Sequence, residues 1–427
     1  MFIHVVQPGD NIWEIARRYG ASVERIISDN GILNPQRLVT GQALLILVPE
    51  TVYIVRAGDT VDSIAEQFGI SPLALMRNNP EIVLQPYLRV GQTLAISFEG
   101  TKRREVVLNG YAYPYIDRDL LRQTLPFLTR LTIFGYGFTL EGELIGIDDQ
   151  PLINMAYEYR TAPVMLLSSI TEDGNFSGER ASLLFHDTNL QNKVLDNIIY
   201  TMRQKGYLGL DIDFEYINPQ DSGAFIEFLR NATTRLHAVG YFVNTDLAPK
   251  TSAAQQGLLY ESHNYAEIGA LSDTVLLMTY EWGYTYGPPM AVAPLDKVRQ
   301  VVQYGVSEIP ARKIMMGLPN YGYDWILPFE RGTTRATAIG NQYAVEIAAR
   351  YNVAIQYDET AQSPYFEYTD FNGLNHIVWF EDVRSMQAKF RLMDEYDLLG
   401  GGYWNLMRPF AQNWAFVNAE YIIQKVV

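Results

Sequence analysis

The feature that most constrains this chain is a regular alternation of strand-like and helix-like segments after residue 104. Apolar, strand-like runs recur eight times, and amphipathic stretches separate them. The eight runs are EVVLNGYAY, LTIFGYGFT, APVMLLSSI, GYLGLDIDF, YFVNTDLAP, DTVLLMTYE, KIMMGLPNYGY and LLGGGYWNLM. Strict alternation predicts a parallel sheet of the α/β class, and eight repeats favour a (β/α)₈ barrel.

A doubly wound open sheet is the alternative to the barrel. That fold would need a glycine-rich nucleotide turn after an early strand, and GYGFTLEG lacks the required spacing. The interval between the seventh and eighth runs is too long for one helix, because it also holds the strand-like runs AIQYD, PYFEYTD and HIVWFED. We therefore predict a barrel over residues 103–427 with a small α+β insertion at about 326–382.

Two repeats of about fifty residues precede this region. HVVQPGDNIWEIARRYG in the first is echoed by YIVRAGDTVDSIAEQFG in the second. Each repeat predicts a small βααβ unit, in which Asp10 or Asp59 caps the first helix and Gly20 or Gly69 ends it. The linkers are short, so we expect the units to be held close to the barrel.

Composition excludes several classes of function. The chain has no cysteine, which excludes disulfides, thiolate metal sites and a cysteine nucleophile. Its net charge of -15 argues against a nucleic-acid partner. The five histidines are scattered and form no H-E-x-x-H pair, LLSSI lacks the G-x-S-x-G elbow, and no run of eighteen apolar residues occurs. We expect no metal, no cofactor and no membrane span.

The fourth run carries three acids in alternation. Because side chains on a strand alternate faces, Asp211, Asp213 and Glu215 share one face, while Ile212 and Phe214 share the other. In a barrel the acids would point inward, with Glu215 at the C-terminal end where barrel active sites are built. The alternative, an edge strand with a solvated acidic face, is disfavoured by the helix pattern that follows.

Crowded carboxylates have chemical consequences. They repel one another, so at least one has a raised pKa and keeps its proton. A protonated acid beside an ionised one can cleave a glycosidic bond. Acids two residues apart on one strand lie side by side, which suits a mechanism in which the substrate's own 2-acetamido oxygen attacks. Glu215 would then protonate the leaving oxygen, Asp213 would orient the acetamido group, and Asp211 would tune Asp213.

GLDIDFE resembles the D-G-x-D-x-D-x-E signature of family 18 glycoside hydrolases, which lies on the fourth strand of their barrels. LLMTYEW and GGYWNLM resemble the family's sixth-strand and eighth-strand motifs. The resemblance implies that Tyr280 hydrogen-bonds the attacking acetamido oxygen, with Glu281 beside it, and that Trp404 floors the sugar. Leu208 stands where the family has the first Asp of the signature, a residue that helps to hold the inner acid.

Other side chains near the predicted strand ends are candidates for a sugar groove. They are Tyr111, Tyr113, Tyr321, Tyr323 and Trp325, together with Asn244 and Asp246 on the fifth run. Of these, Tyr113, Asn244 and Tyr323 are predicted to bind substrate.

Both N-terminal repeats, at 1–48 and 52–98, resemble lysin motif (LysM) domains, a family that binds glycans containing N-acetylglucosamine. The whole combination resembles the spore cortex-lytic N-acetylglucosaminidases of endospore-forming bacteria, a subgroup of family 18. This implies peptidoglycan strands of N-acetylglucosamine and muramic-type sugars as the partner, and a location in the spore cortex or coat. It also implies synthesis in the mother cell, and the start MFIHVVQPGD predicts no signal peptide.

Two alternatives stay open. One is a chitinase, which the expected absence of a signal peptide disfavours. The other is a non-catalytic, chitinase-like glycan-binding protein, which the presence of Glu215 disfavours.

Overall fold

The computed structural model describes residues 1–426 and closes eight parallel strands into a barrel. The strands are β1 (Glu105–Ala112), β2 (Arg130–Phe138), β3 (Ala162–Ser168), β4 (Gly209–Asp213), β5 (Phe242–Leu247), β6 (Thr274–Leu277), β7 (Ile314–Pro319) and β8 (Gly400–Trp404). Seven of them fall within one of the predicted runs, and β2 begins one residue before its run. Because β1 pairs with both β2 and β8, the barrel is closed. The barrel prediction is confirmed, and the open doubly wound sheet is excluded.

Helices connect successive strands and cover the barrel. They are Arg118–Thr124, Gln150–Glu158, Gly178–His186, Thr188–Lys205, Ser222–His237, Tyr265–Leu271, Leu295–Glu308, Val383–Glu395 and Ala411–Glu420. The helix after β4 buries Phe225, Phe228 and Leu236 against the barrel, as expected for an amphipathic helix. Full burial of each such side chain contributes about 2 kcal/mol. Among residues 1–426, no helix is long and apolar enough to cross a membrane.

Short elements complete the barrel region. They are the two-residue strands Leu144–Ile145 and Ile422–Ile423, which pair with β2 and β1, and the 3₁₀ turns Leu125–Phe127, Pro219–Asp221 and Ala311–Lys313.

The barrel interior is packed with side chains from alternate positions of the strands. The apolar members of this cluster are Val107, Tyr111, Phe134, Leu166, Leu276 and Met315. The strand alternation that buries these residues also places the acids of β4 inside the barrel, because Leu166 of β3 lies in register with Asp211. The polar positions of the interior therefore need partners from neighbouring strands.

An antiparallel sheet is inserted between β7 and β8. Its five strands, in spatial order, are Thr337–Ile339, Gly322–Leu327, Asn375–Trp379, Ser363–Thr369 and Gln356–Asp358, and the helix Asn341–Tyr351 packs with them. The first of these strands along the chain, Gly322–Leu327, begins slightly before the boundary at about residue 326 that the sequence predicted. Tyr321, Tyr323 and Trp325 from its start pack beside Tyr280 and Trp404, so the insertion supports two residues of the barrel mouth.

Each N-terminal repeat folds as a βααβ unit with its two strands paired antiparallel. The first comprises Phe2–Val5, Ile12–Tyr19, Val23–Asn30 and Ala43–Ile46. The second comprises Pro49–Ile54, Val61–Phe68, Pro72–Asn78 and Thr93–Phe98, with an added 3₁₀ turn at Pro80–Leu84.

The helix caps of the repeats differ from the prediction. Asn11 and Thr60 cap the first helices, one residue later than Asp10 and Asp59. Each Asp instead accepts the backbone N–H three residues before it, at 2.8 and 2.7 Å, and so closes the turn that leads into the helix. The glycine that follows each helix has a φ of 68° or 65°, which confirms the predicted left-handed ends.

Both units are fixed to the last helix of the barrel by buried amides. Gln412 Nε2 donates to Asn30 Oδ1 of the first unit at 2.7 Å. Six residues along the same helix, Asn418 Nδ2 donates to Asn78 Oδ1 of the second unit at 2.8 Å. All four side chains are buried. The units are therefore packed against the barrel and not merely tethered to it.

The first unit also contacts the insertion. The N–H of Ile355 donates to the carbonyl of Thr40 at 2.9 Å. The adjacent Gly41 has a φ of 84°, and a Cβ at this position would overlap the carbonyl oxygen of Ile355. Its counterpart in the second unit, Gly91, has a φ of 86°, and a Cβ added there would meet no atom within 4 Å. The loop that precedes the last strand of each unit therefore packs against the insertion at Gly41 in the first repeat, and it has free space at Gly91 in the second.

Candidate active site

A cleft of about 520 Å³ opens at the C-terminal ends of the barrel strands. Its acidic lining consists of Asp213, Glu215, Asp246 and Glu281. Its aromatic lining consists of Tyr113, Phe134, Phe176, Tyr216, Tyr260, Tyr280, Trp282, Tyr284 and Trp404. A concave site with aromatic walls and a few convergent polar groups is the usual form of a small-molecule or sugar site.

The three acids of β4 are graded from the interior to the mouth. Asp211 is fully buried, and Asp213 is 6% exposed. Glu215 lies two residues beyond the end of the strand and is half-buried. The next residue, Tyr216, has a φ of 55°, so the chain turns immediately after Glu215. This geometry places Glu215 nearest to solvent, Asp213 deeper in the cleft lining and Asp211 beneath the cleft.

Asp211 is held by side chains from other strands. The Tyr111 phenol on β1 lies 2.9 Å from its Oδ2, and Asn244 Nδ2 on β5 donates to its Oδ1 at 2.7 Å. Burial raises the pKa of Asp211, and the hydrogen bonds from Asn244 and Tyr111 oppose that rise. Asp211 does not line the cleft, which agrees with the tuning role that the sequence suggested.

Leu208 does not take part in holding the inner acid. It lies one residue before β4 begins and three residues from Asp211, so strand alternation puts the two on opposite sides. Asn244, in register with Asp211 on β5, and Tyr111 supply the contacts instead. The departure from the family signature at Leu208 is therefore accommodated by neighbouring strands.

Asp213 has a free carboxyl oxygen. Its Oδ1 is buried and receives no hydrogen bond from any residue in the described part of the chain. Burial raises its pKa well above the usual value, and the charges of Glu215 and Asp211 raise it further. A buried acid without a protein partner costs free energy, so its retention at the cleft favours a partner supplied by a ligand.

Glu215 has the properties of a general acid. Burial raises its pKa above the ordinary value, and the nearby charge of Glu281 adds to the effect. A carboxyl that keeps its proton at the mouth of a cleft can protonate a leaving group.

Tyr280 and Glu281 follow the end of β6 and line the same cleft. Burial holds the pKa of Tyr280 well above its usual value, so the phenol stays a hydrogen-bond donor. Glu281 has a φ of 66° and accepts hydrogen bonds from Tyr321 and, at 3.1 Å, from Tyr323. Tyr323 is buried and does not line the cleft, so its position favours support of Glu281 over the substrate contact that the sequence predicted.

Trp404 and Tyr113 form an apolar surface at the cleft. Trp404 is the last residue of β8, and its ring centroid lies 6.0 Å from that of Tyr113 and 5.4 Å from that of Phe134. Both predicted residues line the cleft. Aromatic faces of this kind stack on the apolar face of a sugar ring.

Asn244 lies beneath the cleft and not in it. It is 2% exposed, and its Oδ1 accepts from Thr274 at 2.8 Å. Its Nδ2 donates to Asp211 and, at 3.0 Å, to Asp246. This position favours a supporting role over the predicted contact with substrate. Asp246 is a candidate for the sugar groove without a predicted role, and it lines the cleft. The sequence signal for its position is the alternation of Asn244 and Asp246 on β5, which puts both side chains on the same face of the strand.

In chemical terms the cleft offers acid–base catalysis by side chains. It combines a carboxyl of raised pKa at the surface, a second acid with a free oxygen, a phenol donor and an aromatic floor. In residues 1–426, no three or more His, Asp or Glu side chains are grouped so as to hold a metal ion. The set matches the requirements for cleaving a glycosidic bond.

Comparisons with known proteins agree with this geometry. The model of glycosyl hydrolases family 18 matches residues 150–408, and the LysM domain model matches residues 4–47 and 53–97. The chain is 40% identical over 430 residues to the cortical fragment-lytic enzyme of Bacillus anthracis, covering 99% of each chain. It is also 40% identical over 433 residues to that of Bacillus subtilis (strain 168), covering 100% of this chain and 99% of the other.

A solved structure is similar over the full length. The spore cortex-lytic enzyme SleL of Bacillus megaterium QM B1551 superposes with a TM-score of 0.85 at 38% identity, covering 100% of this chain and 99% of the other. The family model covers more than half of the chain, and the relatives span nearly all of it. The chain is therefore a glycan-binding glycoside hydrolase, and it belongs to glycosyl hydrolases family 18 with two LysM domains.

Proposed function

We propose that this enzyme hydrolyses the β-1,4 bonds that follow N-acetylglucosamine in spore cortex peptidoglycan during germination. The relatives named for cortex lysis support the substrate, and they support action at the spore cortex or coat. The observation that carries the chemistry is the free oxygen of Asp213 beside a Glu215 whose pKa is raised. A pair placed side by side suits attack by the substrate's own acetamido group.

In the first step Glu215 gives its proton to the glycosidic oxygen as the bond from that oxygen to C1 breaks. The acetamido carbonyl oxygen of the same sugar forms a bond to C1 from the opposite face and gives an oxazolinium ion. Asp213 accepts the acetamido N–H and stabilises the developing positive charge. The Tyr280 hydroxyl holds the acetamido oxygen in line with C1, and Trp404 supports the ring.

In the second step the Glu215 carboxylate takes a proton from water. The water oxygen forms a bond to C1 while the bond to the acetamido oxygen breaks. Two displacements at C1 give net retention of configuration, and Glu215 ends in the protonated form with which it began.

The LysM domains are proposed to hold the enzyme on the same glycan. Because both are packed against the barrel, a strand bound by either unit stays within reach of the cleft. This arrangement raises the effective substrate concentration and leaves the chemical step unchanged.

The test compares the wild type with Glu215→Gln on purified spore cortex and on chitin oligomers, with products read by mass spectrometry. The proposal predicts that only the wild type releases cortex fragments ending in N-acetylglucosamine. Equal release by both proteins would contradict the role of Glu215. Cleavage of chitin alone would show a chitinase, and binding without cleavage by the wild type would show a lectin.

A further inference from the structure

Asp246 is one of the four acids that line the cleft, and it has no part in the mechanism above. It is 4% exposed and lies on β5, two residues beyond Asn244. Asn244 is in register with Asp211, and continuing that register brings Asp246 beside Asp213. A buried acid in this place needs either a cation or a proton.

Counting protons shows that one of two neighbouring acids is protonated. Tyr111 Oη lies 2.9 Å from Oδ2 of Asp211 and 2.8 Å from Oδ1 of Asp246. A phenol has one proton to donate. If both acids were ionised, one of these two contacts would bring oxygens together without a hydrogen. One of the two acids must therefore carry a proton, which it donates to the Tyr111 oxygen while Tyr111 donates to the other acid.

The remaining contacts fix which groups are donors. Arg130 Nη1 donates to Thr274 Oγ1 at 2.9 Å, and Thr274 donates to Asn244 Oδ1 at 2.8 Å. This chain turns the NH₂ group of Asn244 toward the acids, where it donates to both. Asp211 receives this donor and the phenol, and lies within the influence of the Arg130 charge. Asp211 is thus better suited to the negative charge, and Asp246 to the proton.

The directions of the pKa shifts of Asp246 and Asp211 agree with this assignment of the proton. Burial raises the pKa of Asp246 well above its usual value, and the charges of Asp211 and Asp213 raise it further. For Asp211 the hydrogen bonds from Asn244 and Tyr111 work against the rise in pKa caused by burial.

We propose that Asp246 is a positioning residue that keeps its proton and donates it to Tyr111, so that Tyr111 donates to Asp211 and Asp213 is left free to meet the substrate. Without Asp246, the acid nearest to Asp211 would be Asp213, two residues along the same strand. A proton shared by that pair would turn Asp213 inward, away from the acetamido group. This inference rests on the proposed function, since it assigns a task to the supports of Asp213.

The test measures kcat and KM on a soluble cortex fragment for Asp246→Leu and Asp246→Asn. Leucine removes the protonated acid, and we expect kcat to fall about 100-fold with KM nearly unchanged, because the acetamido group is misoriented. Asparagine can donate to Tyr111 as the protonated acid does, and we expect partial rescue, to about ten-fold below wild type. Thr245→Val, on the opposite face of the same strand, is the matched control and should keep the wild-type kcat.

A wild-type kcat in Asp246→Leu would overturn the proposal, and so would an equal loss in both Asp246 variants. If Asp246→Leu does not fold, the infrared difference spectrum between wild type and Asp246→Asn at pH 7 decides. Loss of a protonated-carboxyl C=O stretch supports the proposal, and loss of an ionised-carboxylate band overturns it. Glu215→Gln, assayed in parallel, separates the two ideas, because its full activity would overturn the proposed function.

Discussion

Acidification should destabilise the fold through His263, which joins the ends of β4 and β5. The ring is 1% exposed. Its Nε2–H donates to the carbonyl of Phe214 at 3.1 Å, and its Nδ1 accepts the N–H of Ala248 at 2.8 Å. Both ring nitrogens therefore have hydrogen-bond partners in the neutral form, and a second proton on Nδ1 would point at the N–H of Ala248. Burial lowers the pKa of His263 to about 4.

The magnitude follows from linkage. A lowered pKa in a base means that the folded state binds fewer protons than the unfolded state, whose His has a pKa of about 6.5. This contribution to stability is complete above pH 6.5 and is lost as the pH falls toward 4. The loss in the free energy of unfolding is about 2 kcal/mol between pH 7 and pH 5, and about 3 kcal/mol by pH 4.

Urea unfolding of the wild type and His263→Gln at several pH values isolates this contribution. Glutamine can accept from one backbone group and donate to the other but does not titrate. Buried carboxyls with raised pKa values change stability in the opposite direction, and they are common to both proteins. We expect the stability advantage of the wild type to shrink by about 2 kcal/mol between pH 7 and pH 5. Parallel curves across this range would show that protonation of His263 does not oppose folding.

Two further predictions concern the cleft and the packing of the repeats. Tyr280→Phe removes a donor that the mechanism uses at the acetamido oxygen, so kcat/KM on N-acetylglucosamine oligomers should fall about 100-fold at unchanged thermal stability; a loss below about three-fold would contradict that role. Gly41→Ala and Gly91→Ala both place an alanine in the left-handed conformation, but only the methyl group at position 41 overlaps the insertion. In urea unfolding, the free energy of unfolding should therefore fall by about 1–3 kcal/mol more for Gly41→Ala than for Gly91→Ala. Equal losses of stability would show that the first repeat and the insertion accommodate the added methyl group without cost.

The barrel could be predicted from sequence because its signal is repeated. Eight apolar runs separated by amphipathic helices leave few other folds, and the alternation of Asp211, Asp213 and Glu215 fixes their common face. The fold of the repeats could be predicted equally well, apart from the helix caps. In the Gly-Asp turns, each Asp side chain accepts a backbone N–H of the turn, and Asn11 or Thr60 caps the helix instead.

The supports of the site were harder to predict because they depend on contacts between distant strands. Nothing in the order of residues shows that Tyr111 reaches both Asp211 and Asp246, since these pairs are separated by 100 and 135 positions. For the same reason the sequence predicts Asn244 and Tyr323 as substrate contacts, whereas their burial favours supporting roles. Asn244 lies inside the barrel, and Tyr323 lies on the inserted sheet.

The claim that the substrate's acetamido oxygen attacks C1 has a direct test. The measurement is kcat/KM for a matched series of glycosides whose acetamido methyl group carries none, one, two or three fluorine atoms. Fluorine withdraws electrons from the carbonyl oxygen, so the proposed mechanism predicts that kcat/KM falls steeply with each substitution while substrate binding changes little. A rate independent of fluorination would contradict substrate-assisted catalysis and would require a nucleophile supplied by the enzyme.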